Sequence, residues 1–311
     1  MPTSNFPGGF PNGLTVRGLP VLNSYAGNIF WVDSGAGSNG NAGTFNKPFA
    51  TIDYAVGQAT ASNGDQIHIK PGHAENISSA SFITVDVAGL TFIGHGHGNQ
   101  RPTLTWTAAA GTIVVSAADT VFSNILMIAG ITDTAVMISV TATEGFSMYG
   151  CQMEDQSTTV EWLVCVQLAT GQNGVTFVGN KLLGLSATNN DTILFDGTVI
   201  DLYIANNFFH NEVARASSEA TITLTGAATA AYIGYNTFVS SDASVISCAI
   251  DGTGSAAHSG MCEYNNVSVL DAGIAITDDP IEVTGMGLVQ NLVTGAVDVQ
   301  GFLVPAANAV T

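Results

Sequence analysis

A pattern of the form apolar-x-x-Asn-x-apolar recurs along most of the 311-residue chain. It reads Val-Phe-Ser-Asn at 121–124, Phe-Val-Gly-Asn at 177–180 and Tyr-Ile-Ala-Asn-Asn-Phe at 203–208. It returns as Tyr-Ile-Gly-Tyr-Asn-Thr-Phe at 232–238 and Met-Cys-Glu-Tyr-Asn-Asn-Val at 261–267, and more loosely as Thr-Phe-Ile-Gly-His at 91–95. Aligned on its fourth position, the pattern selects His95, Asn124, Cys151, Asn180, Asn207, Asn236, Asn265 and Asn291, spaced by 29, 27, 29, 27, 29, 29 and 26 residues. A period in this range means stacked repeats. The repeating segments are strand-like and have no helices between them, so each repeat is a coil of β-structure rather than a helical hairpin or a βαβ unit.

In such a stack Val, Ile, Leu, Phe and Ala fill the bore. Each coil takes its ladder hydrogen bonds from the next, about 4.8 Å away, so eight coils make a rod of roughly 40 Å. The recurring Asn has a structural reading. Asn tolerates the left-handed backbone of a tight corner, and amides stacked at one corner can bond to the coils above and below. Asn124, Asn180, Asn207, Asn236, Asn265 and Asn291 are therefore expected to form a structural ladder, not a binding site.

The end of such a stack exposes a bare strand edge and an open apolar bore, and terminal repeats need a polar-faced cap. The segment before the first coil provides one. Ile52, Ala55, Val56 and Ala59 fall on one helical face. Thr51 is placed to cap the helix N-terminus, Asp53 suits its first turn, and Asn63-Gly64 is a stop signal. The sequence thus divides into an extended arm (1–28), a strand and capping helix (29–64), β-coils (65–297) and a C-terminal cap or tail (298–311).

Composition narrows the partners. Charged residues are 10% of the chain against a usual figure of about 25%. The formal charge is -18, from 24 acids against 6 Lys plus Arg. No basic stripe is available for nucleic acid, and an anionic membrane would repel the surface. The first residues show neither a basic nor an apolar leader region, so no signal peptide is expected. Cys151, Cys165, Cys248 and Cys262 lie in strand-like runs and read as buried small hydrophobes.

The stretch from Phe30 to Ile77, with its Gly/Asn loop, "GTFNKPFATIDYAV" and "NGDQIHIKPG", resembles the N-terminal cap and first rung of the pectate-lyase-like right-handed parallel β-helix superfamily. It is most similar to the forms found in bacteriophage virion proteins and tailspikes. That resemblance implies an all-β, single-stranded right-handed parallel β-helix with a short capping helix. It also implies a homo-oligomer, a trimer, with binding sites on the outer face or between subunits.

Two functions follow. One is a non-enzymatic virion structural protein, a capsid decoration or accessory head or tail protein. It would dock on the phage major capsid or tail protein through Leu14, Val16, Arg17, Leu19 and Val21 of the arm, at the capsid surface. The other is a tailspike-like protein that binds or depolymerises polysaccharide. A glycosidase needs two carboxylates about 5–9.5 Å apart; Glu154, Asp155, Glu161, Asp191, Asp196, Asp201, Glu212 and Glu219 are the candidates. A lyase needs a base beside an acid-bound cation, and Arg17, Lys47, Lys70, Arg101, Lys181 and Arg215 form no recognisable set for it. Trp31, Trp106 and Trp162 are scattered, a thin basis for sugar stacking. "GHGHG" at 94–98 lacks a third metal ligand unless His73 or Asp119 approaches, and reads as a turn. "TDDP" at 277–280 reads as an exposed turn. No catalytic residue, cofactor or metal is therefore assigned. "TGAATAAYIGY" (Thr225 to Tyr235) reads either as an interface face or as core.

Overall fold

The computed structural model describes residues 14–16, 19–21, 27–142, 144–169, 171–185, 191–211, 220–240, 248–255, 257–269, 281–295 and 300–302. The chain winds as a right-handed parallel β-solenoid with three long sheets. The first sheet stacks ten parallel strands, from Ile29–Val32 and Gln66–Ile69 to Gly260–Glu263 and Gly287–Val289. The second begins at Ala74–Ile77 and reaches Leu292–Gly295. The third has eight strands, from Ile83–Val85 to Ile281–Glu282. Within a strand, inward residues are buried and their neighbours face out, as period-2 alternation requires.

The bore is filled by columns of like side chains. Phe92 and Phe122 stack at 4.7 Å, Phe122 and Phe146 lie 6.2 Å apart, and Phe209 stacks on Phe238 at 4.9 Å. Trp106 and Trp162 are fully buried, so neither presents a ring to a sugar. Cys151, Cys165 and Cys262 are buried, and burial pushes the thiols of Cys151 and Cys262 up to about 11 and about 12.

The N-terminal opening is closed by α1 (Ile52–Val56), which buries Ile52, Ala55 and Val56 against the first and third sheets. Thr51 Oγ1 accepts from Tyr54 N, and Glu75 Oε2, reaching across from the second sheet, accepts from Ile52 N at 3.1 Å. The helix is shorter than its apolar face suggests. Gly57 N–H bonds to the carbonyls of Asp53 and Ala55, which tightens the turn there, six residues before Asn63-Gly64. Asp65 ties this cap together: its carboxylate accepts from Asn28 N (2.6 Å), Thr60 N (2.7 Å), Asn63 Nδ2 (2.7 Å) and Asn28 Nδ2 (3.2 Å).

The corner between the first and second sheets corrects the expected register. A left-handed residue comes first: Asn124, Gly150, Gly179, Asn206, Tyr235, Tyr264 and Gln290 all have φ between 49° and 58° or, for Gly179, 67°. The ladder column is the next residue. It runs Ile125, Cys151, Asn180, Asn207, Asn236, Asn265, Asn291, as fixed by the pairing of Leu126, Gln152 and Lys181 just after it. Asn124 is thus not a rung. It is the left-handed corner residue, and its Nδ2 donates to the carbonyls of Gly94 and Gly96. The five true rungs are almost fully buried. Asn207 shows the bonding: its Oδ1 accepts from both N and Nδ2 of Asn180, and its Nδ2 donates to Asn236 Oδ1 and to Phe177 O. Every amide valence is used, and none of it needs water.

Leu14–Val16 and Leu19–Val21 pair with each other antiparallel, in a sheet of their own. Arg17 lies outside the described residues. At the other end Gln300–Phe302 turns back antiparallel along Leu292–Thr294. The stretch at 225–235 is mixed: Ala228, Ala231 and Ile233 are core, whereas Tyr235 is exposed.

Candidate functional site

Among the described residues, the sequence-derived acids make separate structural contacts. Asp155 is buried and accepts from Trp162 N and Leu185 N, which pins a loop. Asp191 accepts from Ala220 N and Thr223 Oγ1, again between coils. Glu161 is buried, Asp201 sits at a left-handed corner, and Glu154 accepts from Gln152 Nε2 on the second sheet. Glu212, Glu219, Arg215 and the 277–280 turn lie outside the described residues. Lys70 is engaged by Asp33 at 3.6 Å and by the ring of Phe45.

What the fold does bring together is a band of tyrosines on the outer face of the first sheet and its corner. Register places Thr176, Tyr203, Tyr232 and Met261 in one outward column. Tyr149, Val178, Ala205, Gly234 and Glu263 form the column beside it. Tyr203 and Tyr232 have nearly parallel rings 5.1 Å apart. Tyr232 leans back over its own strand: a Cβ at Gly234 would lie 2.6 Å from Tyr232 Oη, so only glycine leaves it room. The phenol then donates to Glu263 Oε1 at 3.0 Å. Burial, reinforced by that hydrogen bond and the Glu263 charge, pushes the Tyr232 phenol up to about 12.

Tyr235 and Tyr264 extend the band around the corner, with parallel rings 5.0 Å apart and 53% and 42% exposure. Both are in the left-handed region, at φ 56° and 52°. Four other coils fill that position with Gly150, Gly179, Asn124 or Asn206, residues that adopt it readily, and the last with Gln290. A bulky side chain there costs about 1–2 kcal/mol. In the repeat pattern Tyr235 and Tyr264 occupy an unspecified position. Their position, immediately before a rung Asn, was the signal that could have exposed them.

The Gly94–Gly98 turn separates its two histidines. His95 turns away from the exposed His97 and meets His68 of the preceding coil. His73 is buried against Glu75, at 3.2 Å. Burial holds both His68 and His95 below the ordinary imidazole range, His68 further so through His95. Among the described residues, no three His, Cys, Asp or Glu side chains converge on one point.

No family model matches this sequence, and no curated protein does. Among solved structures, a rhamnogalacturonan lyase aligns over 90% of this chain and 90% of its own, with a TM-score of 0.38 and 12% sequence identity. At that distance the likeness carries no argument about activity.

Proposed function

We propose that this protein is a polysaccharide-binding β-helix whose recognition surface is the tyrosine band on the first sheet. The observation that carries the reading is the placing of two stacked, exposed tyrosines, Tyr235 and Tyr264, at strained left-handed corners, where glycine or asparagine serves in four of the other five coils and Gln290 in the last. Strain kept at an exposed side chain points to a use for that side chain. Tyrosine suits a sugar chain because it offers an apolar body and a polar tip. Rings repeating about every 5 Å along the rod axis, as coil spacing dictates, keep pace with successive pyranose units. The charge of -18 favours neutral chains over polyuronates.

Affinity electrophoresis against a panel of neutral and uronate-rich polysaccharides tests this. A neutral polymer should retard the protein, and Tyr203→Ala and Tyr264→Ala should each weaken binding about tenfold. Binding left unchanged by both substitutions, or no retardation by any polymer, would overturn the reading.

A second reading concerns attachment. Among the described residues, the strands Leu14–Val16 and Leu19–Val21 pair with each other and with no other strand. That leaves two strand edges for a partner strand. We infer that it docks the rod on a larger assembly, for which a phage capsid or tail subunit is the proposed partner and the virion the proposed location. Deleting residues 1–26 should release the protein from that assembly with its β-sheet circular dichroism intact. Continued attachment would reject the idea.

A further inference from the structure

At the N-terminal end of the first sheet, Trp31, His68 and His95 form an aromatic stack on three successive coils. The Trp31 ring lies 4.8 Å from His68 and 5.1 Å from His95, and the two imidazoles are nearly parallel. His68 Nδ1 and His95 Nε2 meet head-on at 2.7 Å, so one proton lies between them. His68 Nε2 lies 2.9 Å from the Gln66 side-chain oxygen, an acceptor only, so that nitrogen carries the His68 proton. His68 Nδ1 therefore accepts, and His95 Nε2–H donates to it. Both rings are half-buried. Lys70 lies beside His95, because His95 follows Gly94, the register partner of Ile69. Asp33 engages Lys70 at 3.6 Å, and Asp65, next to Gln66, is turned inward to its own donors. Lys47 and His97 are exposed on flanking turns.

This bond limits how many protons the pair can hold. The remaining ring nitrogen, His95 Nδ1, can take a first proton without touching the shared bond. A second proton has only His68 Nδ1 to go to. There it sets N–H against N–H and puts two imidazolium rings side by side, with Lys70 adjoining, where like charge and burial both oppose it. We propose that His68 and His95 form an acid-operated latch on the N-terminal cap: the pair accepts one proton while closed and a second only by opening, which releases Trp31, and the Phe45 ring packed on it, from the coils that carry the two histidines. The latch is local. The parallel backbone ladder between Ile29–Val32 and Gln66–Ile69 does not depend on these side chains, so acid loosens the outer face of the cap while the rod persists. Burial holds both imidazoles below their ordinary range, so the unfolded chain takes up protons first. The stabilisation from the latch is therefore complete above the ordinary value near pH 6.5 and is lost as pH falls below it through the lowered values.

Trp31 supplies the readout, since Trp106 and Trp162 are sealed in the bore. The full-length chain is titrated from about pH 8 to about pH 4, across the ordinary imidazole range. Histidine side-chain NMR and acrylamide quenching of the tryptophan fluorescence are followed in parallel. The expected result is two separate protonation steps for the pair. Trp31 should stay shielded through the first step and become severalfold more accessible in the second, with far-ultraviolet circular dichroism unchanged. His95→Gln leaves an amide that can donate to neutral His68 and accept from its protonated form. That variant should lose both the second step and the rise in quenching, whereas His97→Gln should keep them. Simultaneous titration of the two rings, Trp31 accessibility that stays flat across the range, or a rise that persists undiminished in His95→Gln would overturn the proposal.

Discussion

Replacing Asn207 by alanine should cost about 2–6 kcal/mol, whereas replacing its neighbour Asn206 by glycine should cost almost nothing. The larger figure comes from what remains behind. Asn180 N and Nδ2 both donate to Asn207 Oδ1, at 2.9 and 3.0 Å, and Phe177 O accepts from Asn207 Nδ2 at 2.9 Å. Truncation orphans two donors beside residues that are 2% exposed. A buried unsatisfied donor costs about 1–3 kcal/mol, and two give the stated range. Asn206 is exposed at φ 58°, a conformation glycine adopts without penalty. Urea unfolding followed by far-ultraviolet circular dichroism measures the difference. Hydrogen exchange localises it: the Asn180 amide should lose protection in Asn207→Ala and keep it in Asn206→Gly. Equal destabilisation by the two variants, or an Asn180 amide still protected in Asn207→Ala, would refute the assignment of the buried column.

Three further outcomes follow from the cap and the tyrosine band. Gly234→Val should displace Tyr232 and destabilise by about 1–3 kcal/mol as an overpacked site, with a weaker near-ultraviolet tyrosine signal. The Tyr232 phenol has a raised value, so its contribution to stability is complete below its ordinary value near pH 10 and is lost as pH rises through about 12; the last phenolate transition should vanish in Tyr232→Phe and move down in Glu263→Gln. At Asp65 burial works against ionisation, but hydrogen bonds from Thr60, Asn28 and Asn63 outweigh it and hold the carboxyl below its ordinary value. Its stabilisation is therefore present above about pH 4 and lost as pH falls through the lowered value. Thermal melts across that range should slope less steeply for Asp65→Asn.

The architecture was legible because a repeat of about 28 residues leaves few alternatives, and because the Thr51 cap and its apolar face mark a lid. The register was not. Asn124 and Asn180 look alike in sequence yet occupy successive corner positions, since asparagine suits both a left-handed backbone and a buried amide stack. The column's first members, Ile125 and Cys151, carry no amide to betray it. The helix end was misplaced for a related reason: Gly57 closes α1 in a right-handed turn, a weaker signal than Asn63-Gly64. The tyrosine band was hidden because outward tyrosines at 203 and 232 fit the same apolar template as core positions do. Its geometry nevertheless depends on the ladder that the repeat did reveal. Tyr235 and Tyr264 are followed directly by the rungs Asn236 and Asn265, whose backbone amides are held at 3.0 Å by the next rung's Oδ1. Those bonds fix the corner that each tyrosine must occupy. A left-handed tyrosine persists only where its surroundings over-determine the backbone, and the buried amide column does so in the coils that carry the band. The ladder is thus the positioning element of the proposed recognition surface, so loss of a rung at Asn236 should loosen the tyrosines before it unwinds the rod.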